Sequence, residues 1–223
     1  MKKNTSFKCA WLLAALLTQY LLQPYLDFFG GLGIPILKRL GSEMFSILLY
    51  NLTLLAAIYA TSSDRLRVYK GISLVIPAMA CSWLTVLYPG VGWLVAAKAF
   101  FILLVLGYTI VCLLIYIFTS QAISLDQILG SISIYFLLGH GFSLTFFSLE
   151  TLVPGSFAGL SVDSKGPDLM YYSFVTLTTL GYGDILPVSL QARSLAALEA
   201  VTGVLYVAIL VARLIGLYEP HRR

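Results

Sequence analysis

Charge is the scarce ingredient of this 223-residue chain: 11% of its residues are charged, against about 25% in an ordinary soluble domain. Fourteen Lys and Arg set against ten Asp and Glu leave a net charge of +4. That is too little to build a polyanion-binding surface, so nucleic acid is excluded as a partner. Cysteine is also sparse, at Cys9, Cys81 and Cys112. An odd number of cysteines, each within or beside an apolar run, makes no disulfide framework, and the three read as small packing residues. Zinc-ligand spacing, a phosphate loop and closely spaced acid pairs are all missing, and Gly30-Gly31-Leu32-Gly33 does not match a dinucleotide fingerprint. Neither an enzyme nor a bound cofactor is expected.

What the chain has in excess is apolar sequence: 59% of residues are hydrophobic, and mean hydropathy is +0.91. The runs fall near 10–29, 44–61, 71–88, 92–118, 127–149 and 190–217. Each approaches or exceeds the roughly 20 residues that cross a bilayer as a helix. The first follows Met1-Lys2-Lys3 and imitates a signal peptide. Its length and the lack of a small-residue cleavage site favour a retained span. With the N-terminus inside, nine basic residues (Lys2, Lys3, Lys8, Arg65, Arg67, Lys70, Arg213, Arg222, Arg223) lie on the inner side and four (Lys38, Arg39, Lys165, Arg193) on the outer. That bias predicts six spans with both termini cytoplasmic. Gln19, Gln23, Asp27 and Asn51 are polar within the first two runs and suit bonds between helices.

Between the fifth and sixth runs the composition breaks. Glu150 to Ser189 carries Pro154, Gly155, Gly159, Gly166 and Pro167, then a short apolar helix candidate begun by Asp168, then Thr178-Thr179-Leu180-Gly181-Tyr182-Gly183-Asp184. Placed outside, this segment has to dip into the membrane and return. Irregular backbone is tolerated at that depth only inside protein or along a watery cavity. Gly181 and Gly183 admit backbone angles that turn successive carbonyls toward one axis.

The tract Thr179-Leu180-Gly181-Tyr182-Gly183, followed by Asp184 and lying between two spans behind a short helix, resembles the selectivity filter of the potassium-channel pore family. The resemblance covers 127–217 and leaves 1–126 without a motif; 218–223 reads as a short tail. It implies that the carbonyls of Thr179, Leu180, Gly181 and Tyr182 replace the hydration shell of K+, with Tyr182 bracing the filter from outside. One strand of carbonyls cannot enclose an ion, so a homotetramer is required. Leu180 departs from the commoner Val. In the family the carboxylate after the filter bonds an aromatic residue of the pore helix, a role open here to Tyr171 or Tyr172. Gly203 in the sixth run sits where the family carries an inner-helix hinge, and close packing is its alternative.

Helical phase puts Val204, Val207, Ala208, Val211, Ala212 and Ile215 on one face, suited to line a cavity, and turns Arg213 away from it. Glu199 lies roughly opposite that face, and Thr176 and Thr178 are its expected partners. His140, in Gly139-His140-Gly141, is a candidate pH sensor or a packing residue. The fourth run holds only Lys98. Moving one charge through 100 mV is worth about 2.3 kcal/mol, too little for steep voltage sensing. The chain ends at Arg223, so no cytoplasmic ligand-binding domain is expected.

The sequence thus predicts an all-α integral membrane protein of bacterial type. It has six transmembrane helices, with a re-entrant pore helix and filter loop between the fifth and sixth, and assembles as a homotetramer in the cell membrane. It conducts K+ passively among lipid and is not conventionally voltage-sensing. The alternatives are a non-conducting regulatory channel subunit and another kind of membrane transporter.

Overall fold

The computed structural model describes residues 7–29, 35–61, 65–88, 91–119, 124–161 and 164–217. The expectations placed on Lys2, Lys3, Gly30 to Gly33, Arg222, Arg223 and the 218–223 tail lie outside the described residues, as do the side chains of Gln23, Asp27, Lys38 and Arg39. Among the described residues, seven helices and two short strands follow in the order α1 (Lys8–Phe29), α2 (Pro35–Thr61), α3 (Arg65–Leu87), α4 (Gly92–Thr119), α5 (Leu125–Leu152), β1 (Phe157–Ala158), α6 (Lys165–Leu177), β2 (Leu186–Pro187) and α7 (Leu190–Leu217). Among the described residues four helices, α3, α4, α5 and α7, are long and apolar enough to cross a membrane. The described apolar stretches of α1 and α2, Lys8–Leu22 and Ile47–Thr61, are shorter.

The chain forms two compact units, Met1–Leu113 and Leu114–Arg223. In the first, α1 packs on α2 and α2 on α3. Leu12 and Leu16 of α1 and Leu54 of α2 are almost fully buried. The expected polar tie between helices is present. Thr53 Oγ1 of α2 donates to Gln19 Oε1 of α1 over 2.9 Å, at a site closed to water.

In the second unit α5 and α7 both pack on α6. A reciprocal cap sets the start of α5: Gln127 N donates to Ser124 Oγ, and Ser124 N donates to Gln127 Oε1. Capping pairs of this kind satisfy two amides that the first turn otherwise leaves without partners. β1 pairs antiparallel with β2, Phe157 opposite Pro187 and Ala158 opposite Leu186. Beneath this ribbon Phe146, Phe157 and Tyr172 meet pairwise, edge to face, with all three centroid separations at 5.3 Å. Each such pair contributes about 0.5–1.5 kcal/mol beyond its buried area. Leu169, Ile185, Ala192 and Ala196 complete the cluster. It fixes α6 and the Gly-rich tract between the ends of the two long helices.

Candidate functional site

The tract after α6 grows directly out of the end of that helix. The last four carbonyls of a helix lack partners within it, and here all four are taken. Phe174 O accepts from Thr178 N, Thr176 O from Thr179 N and Val175 O from Leu180 N. Leu177 O accepts from the Tyr135 phenol of α5 at 3.2 Å. The chain therefore leaves α6 in one fixed direction.

Beyond it the backbone alternates in hand. Thr179, Gly181 and Gly183 have φ of 59°, 60° and 81°, while Leu180 and Tyr182 between them stay on the ordinary negative side. Glycine adopts positive φ without penalty. A β-branched threonine does so at a cost of about 1–2 kcal/mol. Thr179 is the one non-glycine residue with positive φ among those described. Strained residues of this kind cluster at functional segments. Thr178 to Asp184 are all exposed on the single chain, including the large side chains of Leu180 and Tyr182.

Around this tract the structure separates the candidates. Tyr171 stacks on Tyr182, with rings 9° from parallel and centroids 6.4 Å apart. Tyr172 turns into the aromatic cluster and bonds Thr176. Of the two tyrosines, Tyr171 is thus the one beside the Gly-rich tract. Asp184 is exposed, and its carbonyl oxygen lies against Gly159, where φ is +86° and a Cβ would overlap that oxygen. Asp168 does not cap α6 with its side chain. It holds the preceding loop instead, accepting from Ser161 N at 2.7 Å and from Ser164 Oγ at 3.3 Å.

Glu199 is fully buried. Its expected partner Thr178 is corrected: the Thr178 hydroxyl bonds back to Phe174 O and Val175 O within its own helix. Thr176 serves Tyr172. The partner is Ser173, whose Oγ meets Glu199 Oε1 on one side and Gly139 O of α5 on the other.

Gly203 lies where α7 crosses the end of α6. A Cβ there would overlap Leu177 O, and the carbonyl carbon of Leu177 would stand 2.9 Å away. Contact between the helices therefore requires the glycine, whatever bending it also permits. His140 is buried, its Nδ1 2.9 Å from Phe136 O and its ring edge-on to Phe174. Arg213 points away from the apolar face, as its phase predicts, and donates to Phe118 O at the end of α4 over 3.0 Å. Val204, Val207, Ala208, Val211, Ala212 and Ile215 are all exposed on the single chain. The opposite side of α7 is anchored by Gly203 and by Tyr206, whose phenol donates to Ser131 O at 2.6 Å.

Several residues went unnoticed in the sequence. Ser173 and Gly139 are small residues in apolar runs and carry no pattern. Glu150 had a signal, as an acid directly after the fifth run and just before Pro154-Gly155. Its carboxylate accepts from Gly155 N at 3.1 Å, Phe157 N at 3.3 Å and Lys165 Nζ at 3.2 Å.

Residues 131–219 match a protein family described as Ion channel. These residues are similar to that ion-channel family. A cyclic nucleotide-gated potassium channel of Rhizobium etli is 34% identical over 102 residues, which cover 44% of this chain and 26% of that protein. The chain thus spans about a quarter of the length of the curated relative it matches. Both matches support the resemblance to the potassium-channel family. The matched residues span most of α5, all of α6, the alternating tract and α7, and the match supports an ion channel as the class.

Proposed function

We propose that the chain is one subunit of a homotetrameric, potassium-selective channel that conducts K+ passively across the cell membrane. The observation that carries this reading is the alternation of hand at Thr179, Gly181 and Gly183. Alternating left- and right-handed residues flip each peptide plane in turn, so successive carbonyls project to the same side of the strand. Four such strands around an axis give rings of oxygen at the carbonyls of Thr179, Leu180, Gly181 and Tyr182, with Gly183 closing the tract and the Thr179 hydroxyl adding to the lowest ring. K+ entering these rings exchanges water for carbonyl oxygen and moves in single file down its electrochemical gradient.

The remaining roles follow from the packing. Tyr171, stacked on Tyr182, resists widening of the filter, and Asp184 supports its outer end. Tyr172, Thr178 and Glu199 hold α6, the pore helix, in place. The six exposed side chains from Val204 to Ile215 face the axis and line an apolar cavity. Gly203 lets α7 seat against α6 and bends to gate. In the membrane all six long helices span, α6 is re-entrant, and both termini are cytoplasmic. Residues 127–217 make the pore domain, 1–126 a four-helix region preceding it and 218–223 a tail. With Lys98 as the single basic residue of α4, the channel is not conventionally voltage-gated.

The test is ion flux from liposomes holding the purified protein. Barium-sensitive K+ efflux with little Na+ flux is the expected result. Gly181→Ala, which forces a side chain into φ of 60°, abolishes that selectivity. Equal Na+ and K+ flux in the unaltered protein, or K+ flux that survives Gly181→Ala intact, overturns the reading. A regulatory subunit would instead give no flux alone.

A further inference from the structure

We infer that Glu199 is a proton-binding site: its carboxyl carries a proton in the packed state, and that proton ties α7 to α6 and α5. The argument rests on counting hydrogens. Ser173 Oγ sits within hydrogen-bond reach of two acceptors, Gly139 O at 2.8 Å and Glu199 Oε1. A serine hydroxyl brings one proton. If it donates to the Gly139 carbonyl, an ionised Glu199 leaves two oxygens pressed together with no hydrogen between them. If it donates to an ionised Glu199, the Gly139 carbonyl is left in the same position. Both contacts are bonds only when the carboxyl supplies the second proton, Glu199 Oε1–H donating to Ser173 Oγ, and Ser173 Oγ–H donating to Gly139 O.

The surroundings demand the same. Glu199 is 0% exposed, and its Oε2 has no hydrogen-bond partner. Among the described residues no lysine or arginine pairs with it. The titratable groups facing it are the phenols of Tyr135 on α5 and Tyr172 on α6. His140 is the next residue along α5, and its Nδ1 is engaged with Phe136 O. Neither phenol supplies a positive charge to offset a buried carboxylate, which is costly unless paired. Gly139 permits the approach, since a Cβ there would stand 2.7 Å from the Phe174 ring.

The chain Glu199–Ser173–Gly139 thus joins α7, α6 and α5 through one exchangeable proton. Raising the pH removes it, leaves a buried anion and breaks the tie that holds α6 under the filter. Conduction is therefore lost on alkalinisation. This consequence rests on the channel reading; the proton itself does not.

Infrared difference spectra of the reconstituted protein, wild type minus Glu199→Gln, test the proton directly. A carboxylic-acid C=O stretch is expected, lost on alkalinisation in wild type and shifted in Ser173→Ala, which keeps the acid but removes its acceptor. Potassium flux against pH, each protein normalised to its own maximum, is the second readout. Wild type falls on alkalinisation, whereas Glu199→Gln stays flat, because the amide donates to Ser173 at every pH. Absence of the C=O band under conditions of maximal flux, or an unchanged pH profile in Glu199→Gln, overturns the inference. Where Glu199→Gln fails to assemble, the pH titration of the wild-type band and its shift in Ser173→Ala decide. A band without flux in any variant sinks the channel reading and leaves the proton site standing.

Discussion

Gly203→Ala separates two roles that sequence alone leaves superimposed. As a pure hinge, Gly203 contributes only flexibility. Alanine would then stabilise the helix by about 0.5–1 kcal/mol while lowering conduction. As a contact, it gives the opposite sign of stability. The added methyl overlaps Leu177 O, and the obstacle is backbone, so no rotamer change relieves it. Leu177 itself is held, because its carbonyl also accepts the Tyr135 phenol and it ends α6. Forced overpacking costs about 1–3 kcal/mol. Less the helix gain, the net loss is about 2 kcal/mol per chain where the neighbour cannot yield. For a chain of this size each kcal/mol moves the melting temperature by about 2–4 °C, so a drop of about 4–8 °C is expected.

The assay is thermal melting of the solubilised protein, paired with K+ flux. A second change, Ala200→Gly, returns flexibility to α7 one turn earlier without restoring the space at 203. Contact predicts that Ala200→Gly fails to rescue either readout in the Gly203→Ala background. A melting temperature at or above wild type, or flux restored by Ala200→Gly, refutes the steric reasoning and leaves the hinge alone.

The segment between α5 and α6 offers a matched pair of glycines. Gly159→Ala meets both positive φ and the Asp184 carbonyl, whereas Gly155→Ala meets positive φ in open space. Gly159→Ala should cost about 2–4 kcal/mol and Gly155→Ala about 1–2, and equal melting shifts would rule out the contact. Tyr171→Phe and Asp184→Asn should each lower the conducting fraction. In a double-mutant cycle they should couple by more than about 0.5 kcal/mol; strict additivity in single-channel open probability would show that the two do not act together. Glu150→Gln removes the charge that three donors share and should destabilise the protein by about 1–3 kcal/mol in denaturant melts. Lys165→Met should cost less, because the Lys165 side chain is 45% exposed and its pairing is screened. The reverse order would mean that the ion pair, not the loop amides, anchors Glu150.

What could be read from the sequence and what could not divide along a physical line. Local chemistry was legible. Gly181 and Gly183 announced special backbone, and the apolar phase of α7 announced the exposed face from Val204 to Ile215. The depth of Glu199 within an apolar run announced a buried acid. Partnerships across helices were not legible, because they depend on which way two helices turn when they meet. Thr176 and Thr178 were reasonable partners for Glu199 as hydroxyls of the short helix it faces, but a threonine near a helix end satisfies itself on the carbonyl one turn back, and Ser173, well round the helix from Thr178, takes the contact. The choice between Tyr171 and Tyr172 needed the same information. Adjacent residues on a helix diverge by about 100°, so one stacks on Tyr182 and the other enters the core. Thr179 shows a third kind of blindness. Nothing in a threonine suggests positive φ, yet the alternation of hand fails without it. The strain at Thr179 is therefore a property of the tract as a whole, imposed by the closure of all four carbonyls at the end of α6 on one side and the glycines on the other.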